Sequence, residues 1–320
     1  MTNILRSRQQ AARRLQSSVV TIGNFDGMHI GHQAIFRRAI DEAHRLDVPA
    51  VALTFEPHPQ AFFRPDDAPP RLSPPPFKFD LMSHYGIDLV VALTFDESIA
   101  GLEPQQFVGD VLVDELGARH VVVGRDFRFG KKRAGDTDAL RELGEPLGLS
   151  CTVEQFVQWQ GKPVSSTRIR DAVSEGSMDA AASMLGRAYR LVGTVVRGEQ
   201  RGRQLGFPTA NMEVVPMALP PKGVYITTLA PAGGDHWRAI TNVGSRPTFD
   251  DEGMTVETFV LDERVDKDEL DLYGEDIELD IYRRVRGEKK FESPRALVEQ
   301  IERDVRQARE FFDREEFDGR

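Results

Sequence analysis

The sequence predicts an α/β half, built as a doubly wound parallel sheet, followed by an antiparallel β-barrel with a terminal helix. Three observations carry this. Residues 18–155 alternate between nearly continuous apolar runs and helical patterns, as a parallel sheet covered on both faces requires. After about residue 186 short strand-like runs are separated by Gly, Pro and Asp turns, which suits an antiparallel barrel or sandwich. The chain has 320 residues, enough for two domains that each bury a core.

In the first half the candidate strands are Ser18–Ile22, Ala50–Phe55, Leu89–Phe95, His120–Gly124 and Ser150–Phe156. Helical stretches fall near 31–46, 77–85, 103–116 and 136–147. Val-Ala-Leu-Thr-Phe occurs at 51–55 and again at 91–95, which reads as two equivalent buried strands. Prolines crowd residues 57–76 and mark a long loop of the kind that often binds ligands. In the second half strands are expected at Tyr189–Val196, Gly223–Leu229, Trp237–Val243, Met254–Leu261 and Ile277–Arg283. A final helix starts with Ser293 as N-cap and Pro294 at its first position. Its stripe Leu297, Ile301, Val305, Ala308 and Phe312 is core packing. The domain break is expected near Gly186, giving residues 1–185 and 186–320.

The formal net charge is −10, which disfavours a general nucleic-acid binder because such proteins gain affinity by neutralising phosphates. The acidic stretch Asp262–Asp280 reads as solvated surface. No apolar run approaches the ~18 residues of a membrane span, so no membrane partner is expected. A single cysteine, Cys151, excludes an internal disulfide and fits a cytoplasmic home. Arg6, Arg8, Arg13 and Arg14 enrich an N-terminal segment without acids. It faintly resembles a transit peptide, lacks the apolar core of a secretory signal, and reads as an ordinary N-terminal segment.

The segment Gly23-Asn24-Phe25-Asp26-Gly27-Met28-His29-Ile30-Gly31-His32 runs from the first strand through a glycine turn into a helix. That is the carboxyl end of a sheet strand, where open α/β sheets bind ligands, and a helix start favours phosphate. His29 and His32 share one face of the first turn. Gly31 removes a side chain where phosphates would approach, and two imidazoles can donate hydrogen bonds as charge builds. A zinc site is the competing reading, but nothing completes a tetrahedron; one histidine could also serve as a cap or core residue. Gly124 to Gly130-Lys131-Lys132 looks like a phosphate-binding loop of the Walker type. It has one residue too many and lacks the Ser/Thr after lysine, so it is rejected.

The segment just described resembles the signature of the prokaryotic bifunctional riboflavin kinase/FAD synthetase family. Thr54-Phe55-Glu56-Pro57-His58-Pro59, Val123-Gly124-Arg125-Asp126-Phe127-Arg128-Phe129-Gly130 and Val164-Ser165-Ser166-Thr167-Arg168-Ile169-Arg170 follow in the family's order. In the second half Gly198, then Gly202-Arg203-Gln204-Leu205-Gly206-Phe207-Pro208-Thr209-Ala210-Asn211, closely match its riboflavin kinase module. Glycines let backbone approach a polyphosphate, and Thr209 and Asn211 offer hard oxygens for Mg²⁺.

The resemblance implies a Rossmann-like FMN adenylyltransferase domain over 1–185 and a riboflavin kinase barrel over 186–320, with ATP as co-substrate and Mg²⁺ as cofactor. His29, His32 and Glu257 are the implied catalytic residues. ATP would be held by Gly23, Phe25, Asp26, Gly31, Ser165, Ser166, Thr167 and Arg168 in the first domain. Gly198, Gly202, Arg203 and Gly206 would hold it in the second. Pro57, His58, Pro59, Asp126, Phe127 and Phe129 would border flavin and adenine, although Phe127 and Phe129 also read as core aromatics. Two departures stand out: Phe259 replaces a frequent histidine, and 263–269 is a charged insert. A cytidylyl- or pantetheine-type transferase and a flavin-sensing protein without catalysis are the alternatives. The second half argues against the former, and intact His29, His32, Thr209, Asn211 and Glu257 argue against the latter. The sequence leaves the oligomeric state open.

Overall fold

The computed structural model describes residues 3–198, 207–245, 254–265 and 271–314. They form two compact units, Met1–Ser166 and Thr167–Arg320. The helices Ser166–Glu175 and Met178–Leu185 thus fall with the barrel, the first of them save for Ser166.

The first unit is a six-stranded sheet of β1 (Ile4–Leu5), β2 (Ser18–Ile22), β3 (Ala50–Glu56), β4 (Leu89–Thr94), β5 (Ala118–Gly124) and β6 (Ser150–Glu154). Their order is β1-β4-β3-β2-β5-β6, and every neighbouring pair is parallel. β2 is buried at every residue, as its unbroken apolar run requires when helices cover both faces. The repeated pentamers are neighbours in the sheet but not in register, because Leu53 pairs with Val91 and Phe55 with Leu93. The offset of two residues is even. Equivalent side chains therefore stay on one face, and Val51, Leu53, Phe55, Val91 and Leu93 share a core cluster.

The chain winds from β2 to β3 and β4 on one side, then crosses to β5 and β6 on the other. β2 and β5 thus flank the switch point, and the loops after them border the crevice where such sheets take ligands. The arginine-rich N-terminal segment supplies the edge strand β1 and the helix Arg8–Arg14. Ala11 and Leu15 are buried there, and Arg8 pairs with Glu115 at 2.7 Å. The proline-rich stretch is more ordered than a loop: it holds the short helix Pro59–Phe63 and the turn Pro65–Asp67, and Leu72 and Ser73 are 1 % exposed. The helix expected at 103–116 runs as Pro104–Gln106 continued by a π-wound segment, Phe107–Glu115. β6 stops at Glu154, ahead of the expected Phe156; a hairpin follows, from β7 (Gln158–Trp159) and β8 (Lys162–Pro163).

The second unit is a closed antiparallel barrel of β9 (Tyr189–Val196), β10 (Ala210–Val214), β11 (Gly223–Pro231), β12 (Trp237–Ser245), β13 (Met254–Val260) and β14 (Asp276–Gly287). β9 alternates buried and part-buried residues along its length, the period-two signature of a barrel wall. β10 is the strand that sequence periodicity does not reveal. Its five residues follow directly on a glycine- and proline-rich string, and only Met212 is buried. Inside the barrel Thr227, Thr241 and Thr258 are buried, with hydroxyls joined at 2.8 and 2.9 Å. The C-terminal helix Pro294–Arg314 lays Ala308 and Phe312 on Val224, Ile226 and Ile240. Its stripe also contains Asp304, 2 % exposed, which accepts from Arg286 and Gln300 at 2.9 and 2.8 Å.

Candidate active sites

The loop after β2 is built from side chains that fix one another. His29 is the N-cap of the helix Ile30–Leu46, and its Nδ1 accepts the His32 backbone N–H at 3.3 Å. Neutral imidazole carries one proton, so an accepting Nδ1 leaves that proton on Nε2. The two imidazoles stack at 3.6 Å with 18° between planes. Phe25 meets His32 edge-on at 5.4 Å. The His32 Nδ1 is buried with no hydrogen-bond partner among the described residues. Burial first, and His29 second, hold the His32 pKa well below 6.5. The ring is therefore neutral at pH 7, a hydrogen-bond donor and not a fixed charge.

Gly31 has a nearer reason than phosphate approach: a Cβ there would lie 3.1 Å from the His29 ring. The space left by the missing side chain is what lets the imidazole fold back over the helix start. Gly23 is tied to β3 by its N–H, which donates to Leu53 O at 3.1 Å. Phe25 and Met28 have φ of 51° and 43°, a left-handed conformation that costs energy outside glycine and clusters at functional loops.

Asp26 is 7 % exposed. Its carboxylate accepts the Leu72 N–H at 3.0 Å and the Ser73 N–H at 2.9 Å. The Gly27 N–H donates to Ser73 Oγ at 2.7 Å. The Asp26 carbonyl accepts the Ser166 hydroxyl at 2.9 Å, so the end of the Ser165–Ser166 segment joins the β2 loop. Ser165 is half-buried; Thr167, exposed, and Arg168, half-buried, continue the helix that Ser166 begins.

Pro57, His58 and Pro59 follow β3, and the His58 Nε2 lies 2.9 Å from the Asn24 amide. Asp126, Phe127 and Phe129 follow β5, on the opposite flank of β2. Asp126 is exposed. Phe129 is 5 % exposed within the sheet's core cluster, and Phe127 packs on it at 5.5 Å. Sequence reading does not pick out a second aromatic group beyond β3 and β4. Phe62, Phe63 and Phe95 lie 5.2 to 5.7 Å apart, and Phe63 is 63 % exposed. Phe63 leaves the group partly open to water, and three phenylalanines drawn from two separate segments give no sequence period to detect.

In the barrel, Asn211 pairs across strands with Glu257, and Glu257 pairs with Asn242. Residues directly opposite on adjacent strands point to one face. The three therefore form a polar row across β10, β13 and β12, turned away from the core positions Met212, Val256 and Thr258. Asn242 opens the string Asn242-Val243-Gly244-Ser245, which also resembles the riboflavin kinase module, and the strand pairing sets it opposite Glu257. Gly198 is required by this row, since a Cβ there would sit 2.3 Å from the Asn211 amide nitrogen. Thr209 lies two residues before Asn211 and is half-buried like it. Phe259 packs edge-on against Phe207 at 5.3 Å. Gly202, Arg203 and Gly206 lie outside the described residues, as does most of the charged insert. No cluster of three or more His, Cys, Asp or Glu suited to a metal exists among the described residues. Thr209 and Asn211 are hard-oxygen donors that fit an ion held largely by substrate phosphates.

Comparison with known proteins also divides the chain into two parts. A family model described as FAD synthetase matches residues 11–168, and one described as riboflavin kinase matches residues 185–312. The bifunctional riboflavin kinase/FMN adenylyltransferase of Escherichia coli K12 is 36 % identical over 297 residues, covering 93 % of each chain. That of Pseudomonas fluorescens is 38 % identical over 292 residues, covering 91 % of this chain and 92 % of its own. A solved structure described as a macrolide-efflux protein from Streptococcus pneumoniae has a TM-score of 0.85 and 29 % identity, covering 96 % of this chain and 98 % of its own. Among the described residues no helix is long and apolar enough to cross a membrane. The chain belongs to the bifunctional riboflavin kinase/FMN adenylyltransferase family.

Proposed function

We infer that the chain makes FAD from riboflavin in two ATP-dependent steps, one in each half, with the functional boundary at Gly186. In the barrel the riboflavin 5′-hydroxyl attacks the ATP γ-phosphorus, ADP leaves, and the hydroxyl proton passes to Glu257. In the α/β half an oxygen of the FMN phosphate attacks the α-phosphorus of a second ATP in line. The bond to the β-phosphate breaks and pyrophosphate leaves, so this step needs no base for the nucleophile.

The observation that carries the adenylyl-transfer reading is the stacked pair His29–His32 at a helix start beside the sheet's switch point. Backbone N–H groups there attract the phosphates. Neutral imidazoles donate to oxygens that gain charge in the transition state without a standing cation to be desolvated. Ser165, Ser166, Thr167 and Arg168 supply further hydroxyls and a guanidinium to the ATP phosphates, with Gly23, Phe25, Asp26 and Gly31 shaping the loop. The flavin ring is assigned to Pro57, His58, Pro59, Asp126 and Phe127, with Phe129 bracing Phe127, and the Phe62–Phe63–Phe95 group, whose rings meet edge to face, offers it an apolar surface.

In the barrel Gly198, Gly202, Arg203 and Gly206 are assigned to ATP, and Thr209 and Asn211 to Mg²⁺, whose chemistry is to neutralise phosphate charge. The work of the chain's own residues is to set Glu257 opposite Asn211, so that base and ion ligand face the same hydroxyl and phosphate. A cytoplasmic enzyme fits this use of ATP.

Incubation of the full chain with riboflavin, ATP and Mg²⁺, followed over time by chromatography, tests the reading. FMN rises first and FAD follows. Absence of both products from folded protein overturns it.

A further inference from the structure

Beside the β2 loop lies a charged group that neither step above uses. Glu56, the last residue of β3, carries two cations on its carboxylate. Lys78 is hydrogen-bonded to one oxygen, and the Arg71 Nη1 lies 2.8 Å from the other. Lys78 is 5 % exposed in its side chain and Arg71 33 %. Burying a lysine is costly unless it is paired. A surface pair of Glu56 with Arg71 alone would need no such partner. Lys78 also faces the Asp26 carboxylate, so the two acids and two cations of the group balance. Its buried cation is spent on the carboxylate, and its part-exposed guanidinium keeps N–H donors for something else.

Position adds to this. Arg71 directly precedes Leu72 and Ser73, whose N–H groups hold Asp26 of the histidine loop. Glu56 directly precedes Pro57-His58-Pro59, and His58 touches Asn24 of the same loop. The guanidinium is thus tied on both sides to the carboxyl edge of the sheet, on the β3 flank of β2. The sequence 56–78 shows no basic motif, so the cation is found only through the fold.

We propose that Arg71 binds the phosphate monoester of the flavin substrate in the adenylyl-transfer half, held in place by Glu56, with Lys78 fixing Glu56. This rests on the assignment of that half to FMN adenylylation. A guanidinium fork matches a phosphate dianion bidentately. Here it distinguishes FMN, which carries that group, from riboflavin, which does not. Neutralising one charge of the attacking phosphate also eases its approach to the ATP α-phosphorus. Glu56 and Lys78 are positioning residues: they act through Arg71 and touch no reacting atom.

The test is steady-state kinetics of FAD formation by full-length Arg71→Met, Arg71→Lys, Lys78→Met and Lys78→Arg, with FMN and ATP varied separately. Loss of a charged hydrogen-bond pair predicts a KM for FMN raised roughly tenfold to hundredfold in Arg71→Met. The KM for ATP should stay within about twofold. Arg71→Lys keeps the charge but not the fork and falls between. Lys78→Met shifts the KM for FMN in the same direction by less, and Lys78→Arg restores it, a pattern that general loosening of the fold would not produce. The riboflavin kinase step, measured on the same preparations, reports folding. An unchanged KM for FMN in Arg71→Met, or an equal rise in both KM values, overturns the proposal. If wild-type protein forms no FAD at all, it is the adenylyltransferase reading that has failed.

Discussion

In the α/β half the side chains behind β2 are locked by one another. His29 caps the helix that carries His32, Phe25 props His32, and Asp26 grips the backbone of Leu72 and Ser73. In the barrel Asn211, Glu257 and Asn242 stand in a row because the strands that carry them pair in that register. A site of the first kind shares its interactions with the fold, so changes to it cost stability and activity together. A site of the second kind is placed by backbone ladders, so its register survives when one of its side chains is altered. Preorganised donors for a polyphosphate leaving group need the first construction. A base beside a hydroxyl needs little more than position.

The largest effect that sharpens this contrast is in the barrel. Glu257→Gln should lower riboflavin phosphorylation by roughly 10²–10⁴-fold and cost less unfolding free energy than Asp26→Ala, measured by product assay and urea titration. Asp26→Ala should do both kinds of damage. It leaves two buried N–H groups unpaired, which costs about 2–4 kcal/mol, and slows FAD formation while FMN formation continues. An Asp26→Ala protein as stable as wild type would break the comparison. Gly31→Ala comes next. Its Cβ pushes on the His29 ring, costing about 1 kcal/mol and roughly tenfold in FAD formation.

The smallest effect is a pH dependence. The folded His32 pKa lies below that of the unfolded chain, so between the two values the unfolded state binds more protons. Stability from this group is complete above pH 6.5 and falls as the pH drops through the window beneath it. The buried His120 is shifted the same way by burial. Subtracting the urea-titration profile of His32→Ala from that of wild type isolates the His32 share, and an identical slope in both proteins would contradict the burial argument.

Much of this was legible in the sequence, for identifiable reasons. β2 matches Ser18–Ile22 and β9 matches Tyr189–Val196 because buried runs and strict alternation are direct imprints of burial. The histidine loop was legible because glycine turn, strand and helix start are contiguous. β10 was not, because a strand with one buried residue leaves no apolar period. The buried Asp304 was hidden inside a stripe that looks wholly apolar, and its Arg286 partner lies on another element. The contact that Gly31 spares, with the His29 ring, is set by a side-chain rotamer and is not legible in the sequence. Arg71 owes its place to a long-range ion pair with Glu56, which no local motif encodes.

The central claim is that two separable sites share one chain. It is tested most directly by following FMN and FAD from His32→Ala and Glu257→Gln proteins, alone and mixed. His32→Ala should turn riboflavin into FMN and stop there, with FAD formation down roughly 10²–10³-fold. Glu257→Gln should turn added FMN into FAD but leave riboflavin unchanged, and the mixture should make FAD from riboflavin. Loss of both activities in either folded variant, or a mixture that makes no FAD, would contradict the account.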